Sequence, residues 1–293
     1  MRIIVGVDGS AGAQRAFQWA IAEGRARGAA VTALLAYGYY GRPFDVQAST
    51  TGLDPAELDE AARTVLRQAV ADLVPGPTAG QIDQRVSDSE PVDALLDDAR
   101  PDDLLVVGAR GLGPVRRLLL GSVSLHCTRH AACPTVIVRE SSAPDIGIAA
   151  GPVVVGIDGS PQSLAALHWA AEHARCRAVP LHVIHVWPIA ETQPAEVDDL
   201  FEVTAQRDRH RREIEALVDR AVDPRQRPDV TVHFLDGSPV AVLLEAAEDA
   251  SLLVVGSRGQ GGIARLLLGS TSAACLLHAP SNVAVVPQPN GLS

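Results

Sequence analysis

"DLLVVGARGLGPVRRLLLGSVS" spans Asp103–Ser124, and "SLLVVGSRGQGGIARLLLGSTS" spans Ser251–Ser272. Between Gly108–Ser122 and Gly256–Ser270, ten of fifteen positions are identical at a spacing of 148. Each copy opens on a short apolar run, crosses a glycine-punctuated stretch and reaches a Gly-Ser pair. The runs Leu104–Val107 and Leu252–Val255 read as strands buried on both faces. The Gly-Ser pairs read as helix starts. Strand, glycine-rich turn and helix in that order are the building unit of a parallel α/β sheet.

The echo extends over the whole chain. "IIVGVDGS" (Ile3–Ser10) returns as "VVVGIDGS" (Val153–Ser160), and Trp19 returns as Trp169, both at an offset of 150. A period near 150 means duplicated domains rather than a solenoid of short repeats. The small, Pro/Gly-bearing stretch Ser141–Gly151 reads as the linker, giving a first domain over 1–140 and a second over 152–293.

Each half alternates strand and helix signals. In the first, strands are expected at Ile3–Val7, Val31–Tyr40, Ile82–Val86, Leu104–Val107 and Thr135–Val138. Their counterparts are Leu181–Trp187, Val230–Leu235, Leu252–Val255 and Val283–Val286, after the Val153 run. Ser10 and Ser160 are good N-caps, with Pro161 at the favoured first helical position. Ala13, Phe17, Ala20 and Ile21 recur at helical spacing. Pro55–Val74 is amphipathic through Leu58, Val65, Leu66, Ala69, Val70 and Leu73, and Pro194–Val222 is its counterpart. Further helices are expected at Pro91–Ala99, Pro239–Ala250, Ser122–His130 and Ser270–His278. The fold class is α/β: two tandem doubly wound five-stranded parallel sheets, Rossmann-like.

Composition narrows the function. The chain has 293 residues, is 47% hydrophobic and 3% aromatic, and carries a net charge of −10. An acidic chain without basic runs is a poor partner for nucleic acid or anionic membranes. No apolar stretch approaches a membrane span, and the N-terminus is too short in apolar residues for a secretory signal, so a cytoplasmic protein is expected. All 25 basic residues are Arg. Without lysine, the Walker A phosphate lysine, the kinase strand lysine and Schiff-base chemistry are excluded. Cys127, Cys133, Cys176 and Cys275 form no CxxC pair and are expected to be reduced.

In doubly wound sheets, ligands sit beyond the carboxyl ends of the strands at the switch point. Gly108 and Gly256 fall there. Gly111, Gly113, Gly259 and Gly261 let backbone turn and approach a ligand closely. "GSVS" (Gly121–Ser124) and "GSTS" (Gly269–Ser272) then open helices, whose unpaired N–H groups suit an anion. The hydroxyls of Ser122, Ser124, Ser270 and Ser272 would add donors. Taken singly, either stretch reads equally well as turn chemistry. The full spacing in two copies favours a phosphate cradle built without lysine.

G-x2-G-x9-G-[ST], here Gly108, Gly111, Gly121, Ser122 and again Gly256, Gly259, Gly269, Ser270, is similar to the ATP-binding signature of the universal stress protein family. The "VGVDGS" and "VGIDGS" openings and "RHAACPTVIV" (Arg129–Val138) resemble that family too. The likeness covers nearly the whole chain as a tandem pair, and relates it more distantly to adenine-nucleotide α-hydrolases. It implies that Asp8 and Asp158, with Gly6 and Gly156 before them, hold adenosine, and that Val186 packs beside adenine. It implies that Gly108–Gly113 (with Ala109) and Gly121–Ser124 (with Val123) wrap ribose and phosphates, as do Gly256, Ser257, Gly259, Gly261, Gly269 and Thr271. Arg110 and Arg258 would face the phosphate tail, with Mg²⁺ accompanying ATP. Bottom-up, Asp8 and Asp158 are equally readable as turn or cap residues before a helix. Tyr37 stands where the family usually has a small aliphatic residue, and "HAPSNVAVV" (His278–Val286) departs from the family's closing pattern.

The expected activity is a nucleotide-dependent regulator of a stress or growth-arrest response, with one ATP per half and at most slow hydrolysis. No base is dedicated to an acceptor, as phosphoryl transfer would need. The alternative is an adenylating enzyme of the α-hydrolase type, but "VDGSAGA" and "IDGSPQS" lack that group's Ser-Gly-Gly-x-Asp-Ser loop. The halves are expected to pair as a pseudo-dimer, with a homodimer and a protein partner as further expectations. His126, Cys127, His130 and Cys133 become Ala274, Cys275, His278 and Ser281 in the second copy, so the set is not repeated, and it reads as structural rather than metal-binding. His168–His173 reads as a solvated helix face, and Arg207–Glu213 as a charged surface. Trp19 and Trp169 read as core fillers.

Overall fold

A computed structural model describes residues 1–38, 54–74, 82–111, 120–140, 151–187, 197–222, 228–259 and 268–288, with the backbone alone at 197–203. Packing divides the chain into two compact units, Met1–Ala149 and Ala150–Ser293. The expected linker lies outside the described residues except for Gly151.

The first unit runs β1 (Arg2–Gly6), α1 (Ala11–Arg27), β2 (Ala30–Ala36), α2 (Pro55–Leu73), β3 (Asp83–Ser87), α3 (Pro91–Asp98), β4 (Leu104–Gly108), α4 (Ser122–His130) and β5 (Thr135–Val138). Its strands pair in the order β3-β2-β1-β4-β5, all parallel. The second unit runs β6 (Val153–Ile157), α5 (Pro161–Arg177), β7 (Leu181–Trp187), α6 (Val197–Ala221), β8 (Val230–Asp236), α7 (Pro239–Ala246), β9 (Leu252–Gly256), α8 (Ser270–His278) and β10 (Asn282–Val286). Its order is β8-β7-β6-β9-β10, again parallel. Each unit is therefore the doubly wound five-stranded sheet that the alternating signals predict. The departure at His278–Val286 does not disturb it, since β10 pairs with β9 over five residues.

The chemistry of the central strands explains the core. Ile3, Ile4 and Val5 of β1 and Leu104, Leu105 and Val106 of β4 are fully buried. Branched side chains fill such a two-faced layer without aromatics. The helices follow their caps. Ser10 Oγ accepts from the Ala13 amide at 3.1 Å, and Ser160 Oγ from the Ser163 amide at 3.2 Å. The αL residue Gly28 closes α1. Helix α2 begins with a capping box of Asp54 and Glu57 and buries Ala62, Leu66 and Val70, a narrower stripe than its apolar content suggests. Leu66, Val70 and Val74 correspond at a spacing of 148 to the buried Ile214, Val218 and Val222. That correspondence sets His210 of α6 where α2 has Ala62.

Several expectations are corrected. Helix α7 stops at Ala246 rather than Ala250: the Ala247 amide reaches both Leu243 and Leu244, and Glu248 bonds Glu245, so the last turn tightens to i→i+3 geometry. Strand β2 is described to Ala36, and Tyr39 and Tyr40 lie outside the described residues, as does Pro194. Trp19 is buried, but Trp169 is only half-buried and stacks flat on His173, with ring centroids 5.3 Å apart. His173 is itself buried, while His168 and Glu172 are exposed, so this stretch of α5 is not simply solvated.

Candidate functional site

In each unit the chain winds outward from the first strand and later crosses to the fourth, leaving a switch point between β1 and β4, and between β6 and β9. Asp8 and Asp158 follow those first strands. Asp8 Oδ1 accepts from the Ser10 amide at 2.9 Å, and Asp158 Oδ1 from the Ser160 amide at 2.9 Å. Gly9 and Gly159, not among the residues singled out from the sequence, both adopt φ +82°, a region that a side chain would strain. Their signal was the Asp-Gly-Ser triplet, a turn in its own right. The turn reading of the aspartates is thus correct for one carboxylate oxygen. The other, Oδ2, faces the loop after the fourth strand. A Cβ on Gly111 would overlap Asp8 Oδ2, and a Cβ on Gly259 would overlap Asp158 Oδ2. Two segments distant in sequence converge at the same place in both units.

The remaining glycines have other tasks. A Cβ on Gly108 would lie 2.6 Å from the Gly12 carbonyl carbon, and one on Gly256 would lie 2.9 Å from that of Gln162. These glycines let the first turn of α1 or α5 rest on the end of the fourth strand. The nearest atoms that a side chain would meet at these two positions are backbone. Gly6 faces the Leu95 side chain and Gly156 that of Leu243, so both admit a leucine from the opposite helix layer.

Beyond Gly108, Ala109 donates its N–H to the Val138 carbonyl at 2.8 Å and accepts from the Gly121 amide at 2.7 Å. Ser257 does the same with Val286 and Gly269, both at 2.8 Å. The two ends of each glycine-rich loop are therefore pinned together beside the start of α4 or α8. The loop tips, with Gly113 and Gly261, lie outside the described residues. The N-caps Gly121 and Gly269 have no side chain to cap with. The first-turn amides of Ser122, Val123 and Ser124, and of Ser270, Thr271 and Ser272, have no acceptor within their helices. Positive charge at two helix starts thus opens toward the switch point.

The hydroxyls divide. Ser122 and Ser270 are exposed. Ser124 and Ser272 are buried, and each donates to the carbonyl of Gly108 or Gly256 at 2.6 Å. Their single O–H groups are engaged, which corrects their expected role as additional donors. Arg110 is exposed and Arg258 half-buried. Burial, then the charge of Arg110, pulls Arg139 below its ordinary value, so the first unit gathers two guanidinium groups here.

Sheet register corrects the reading of Tyr37. Gly6 aligns with Leu34 and Gly156 with Ile184, so Ala36 is the counterpart of Val186, and Tyr37 of Trp187. Both halves carry a small aliphatic residue followed by an aromatic. Tyr37 donates to Asp59 at 3.3 Å, whereas Trp187 has the Arg207 guanidinium 5.5 Å from its ring centroid. The aromatic thus meets an acid on α2 and a base on α6 at equivalent positions. Arg207–Glu213 is accordingly not only a charged surface: Arg207 pairs with Asp236, Arg211 lies over Phe234, and His210 packs on Trp187.

The cysteines are free, and Cys127, Cys133 and Cys275 are buried. Among the described residues, no group of three or more His, Cys, Asp or Glu side chains is arranged to hold a metal. Within the same residues, no helix is long and apolar enough to cross a membrane.

A twofold Rossmann-like fold with an aspartate, a close glycine and an uncapped helix start at each switch point defines the class of protein. Comparison with known proteins agrees. The sequence profile of the universal stress protein family matches residues 1–139 and again 150–287. A universal stress protein of Mycolicibacterium smegmatis is 34% identical over 97% of this chain and 96% of its own. One of Mycobacterium tuberculosis is 33% identical over 98% and 95%. The crystal structure of a universal stress protein from Archaeoglobus fulgidus covers 99% of this chain and 97% of its own, with a TM-score of 0.65 at 21% identity. The chain belongs to the universal stress protein family.

Proposed function

We propose that this chain binds ATP, one molecule in each half, and acts in the cytoplasm as a nucleotide-dependent regulator of a stress or growth-arrest response. The observation that carries this reading is the repeated approach of Asp8 to Gly111 and of Asp158 to Gly259, each beside an uncapped helix start. A carboxylate oxygen accepts hydrogen bonds from adenosine. The amides opening α4 and α8 receive phosphate oxygens. Val186 and Ala36 flank the base, and Arg110 and Arg258 neutralise the phosphate tail. Mg²⁺, when bound with ATP, supplies the remaining positive charge. The output of binding is a change of shape or partner, with hydrolysis at most slow.

The test is a nucleotide count. The chain is purified without added nucleotide and denatured, and released nucleotide is identified by mass spectrometry. Emptied protein is then titrated with Mg-ATP. Two ATP per chain is the expected stoichiometry. The absence of both released nucleotide and binding on titration would overturn the proposal.

A further inference from the structure

In the second unit, His185 of β7 and His210 of α6 bring their Nε2 atoms to 3.1 Å. His185 is buried, and its Nδ1 lies 2.9 Å from the Ile157 carbonyl. A carbonyl only accepts, so Nδ1 carries the hydrogen and Nε2 presents its lone pair. His210 has the Glu213 carboxylate 3.5 Å from its own Nδ1, which draws a hydrogen to that side too. Both Nε2 atoms then face one gap, which a shared proton or a metal cation fills.

The separations describe that gap. A straight N–H···N bond would set the ring centroids about 5.4 Å apart. They are 4.8 Å apart, so the rings are bent toward a common side. Two imidazoles directed at a point about 2.1 Å from each nitrogen reproduce both separations, and that is the bond length of zinc to histidine. The backing of each Nδ1 by a carbonyl or carboxylate is the usual support of a metal-bound imidazole. The side chain of His210 is 33% exposed and leaves an entry path. The neighbouring guanidinium groups are drawn aside, Arg207 to Asp236 and Arg211 over Phe234.

The fold does not need this pair. The first unit has Leu35 and Ala62 in the equivalent places, both fully buried. An apolar contact meets the structural requirement there, and replacing it with two imidazoles costs desolvation. We propose that His185 and His210 form a binding site for a late first-row divalent cation, Zn²⁺ being the probe, with water completing its coordination. The bound ion ties α6 to β7.

The experiment is Zn²⁺ titration of the nucleotide-free full chain against a chromophoric chelator. Wild type is compared with His210→Ala, with His185→Leu/His210→Ala, and with His126→Ala/His130→Ala. The second variant restores the pair used in the first unit and is therefore expected to fold. Expected is one Zn²⁺ site in wild type, weakened at least about tenfold by His210→Ala and absent from the Leu/Ala variant. Removing the α4 histidines, whose rings stack 6.2 Å apart, should leave it unchanged. Zn²⁺ should also raise the melting temperature of wild type and not of the Leu/Ala variant. Equal Zn²⁺ affinity in wild type and the Leu/Ala variant would overturn the proposal, as would loss of the site with the α4 histidines.

Discussion

Asp8 and Gly111 stand so close that the side chain of any residue other than glycine at position 111 would overlap the Oδ2 atom of the aspartate. Asp158 and Gly259 repeat the relation in the second unit. The obstacle is the tip of a side chain rather than backbone, so Gly111→Ala displaces the carboxylate without disturbing the sheet. We expect Gly111→Ala to weaken ATP binding in the first half by about tenfold, one lost charge-assisted hydrogen bond, with stability nearly unchanged. Gly259→Ala should do the same in the second half. Isothermal titration with Mg-ATP and thermal melts check both, and unchanged affinity in the pair of variants would remove the aspartates from the site.

Gly108 and Gly256 should behave in the opposite way. Alanine at 108 drives a methyl into the backbone of Gly12, and at 256 into that of Gln162 with slightly more room. Overpacking of this kind costs roughly 1–3 kcal/mol. Urea unfolding should show a loss in both variants, larger at 108. A wild-type midpoint in Gly108→Ala would mean that α1 shifts freely.

Asp103 should contribute to acid sensitivity. Burial pushes its carboxyl up, but hydrogen bonds from the Arg2 side chain, the Arg2 amide and the Arg100 amide outweigh this and leave it below 3.8. A depressed folded value means that its stabilisation is present above the unfolded pKa and lost as pH falls through the folded one. Asp103→Asn should therefore lower stability at neutral pH by about 1–3 kcal/mol. The gap to wild type should close as pH falls below about 4. Urea midpoints measured across that range decide it: a constant gap would assign the loss to packing alone.

Thiol labelling should find one accessible cysteine. Burial pushes Cys127, Cys133 and Cys275 up to about 12, leaving them thiols at neutral pH. Cys176 is half-buried. Brief treatment of native protein with iodoacetamide, followed by peptide mapping, should modify Cys176 alone. Labelling of Cys127 at a comparable rate would show that α4 opens readily.

The amino-acid sequence by itself determined the doubling, the order of strands and helices, the caps at Ser10 and Ser160, and the places where β4 and β9 hand over to a helix. Each of these is carried by a local pattern: a β-branched run, a 3.6-residue period, a capping serine, a repeat read against itself. Only the tertiary structure decided what individual atoms meet. It set Gly108 against Gly12, engaged the Ser124 hydroxyl with the Gly108 carbonyl, aligned Tyr37 with Trp187, and brought His185 of a strand to His210 of a helix. Such pairings depend on strand register and on how closely two backbones approach. Neither quantity is a property of a short stretch of chain, so a glycine that admits a neighbouring helix and one that admits a carboxylate look the same until the chain is folded.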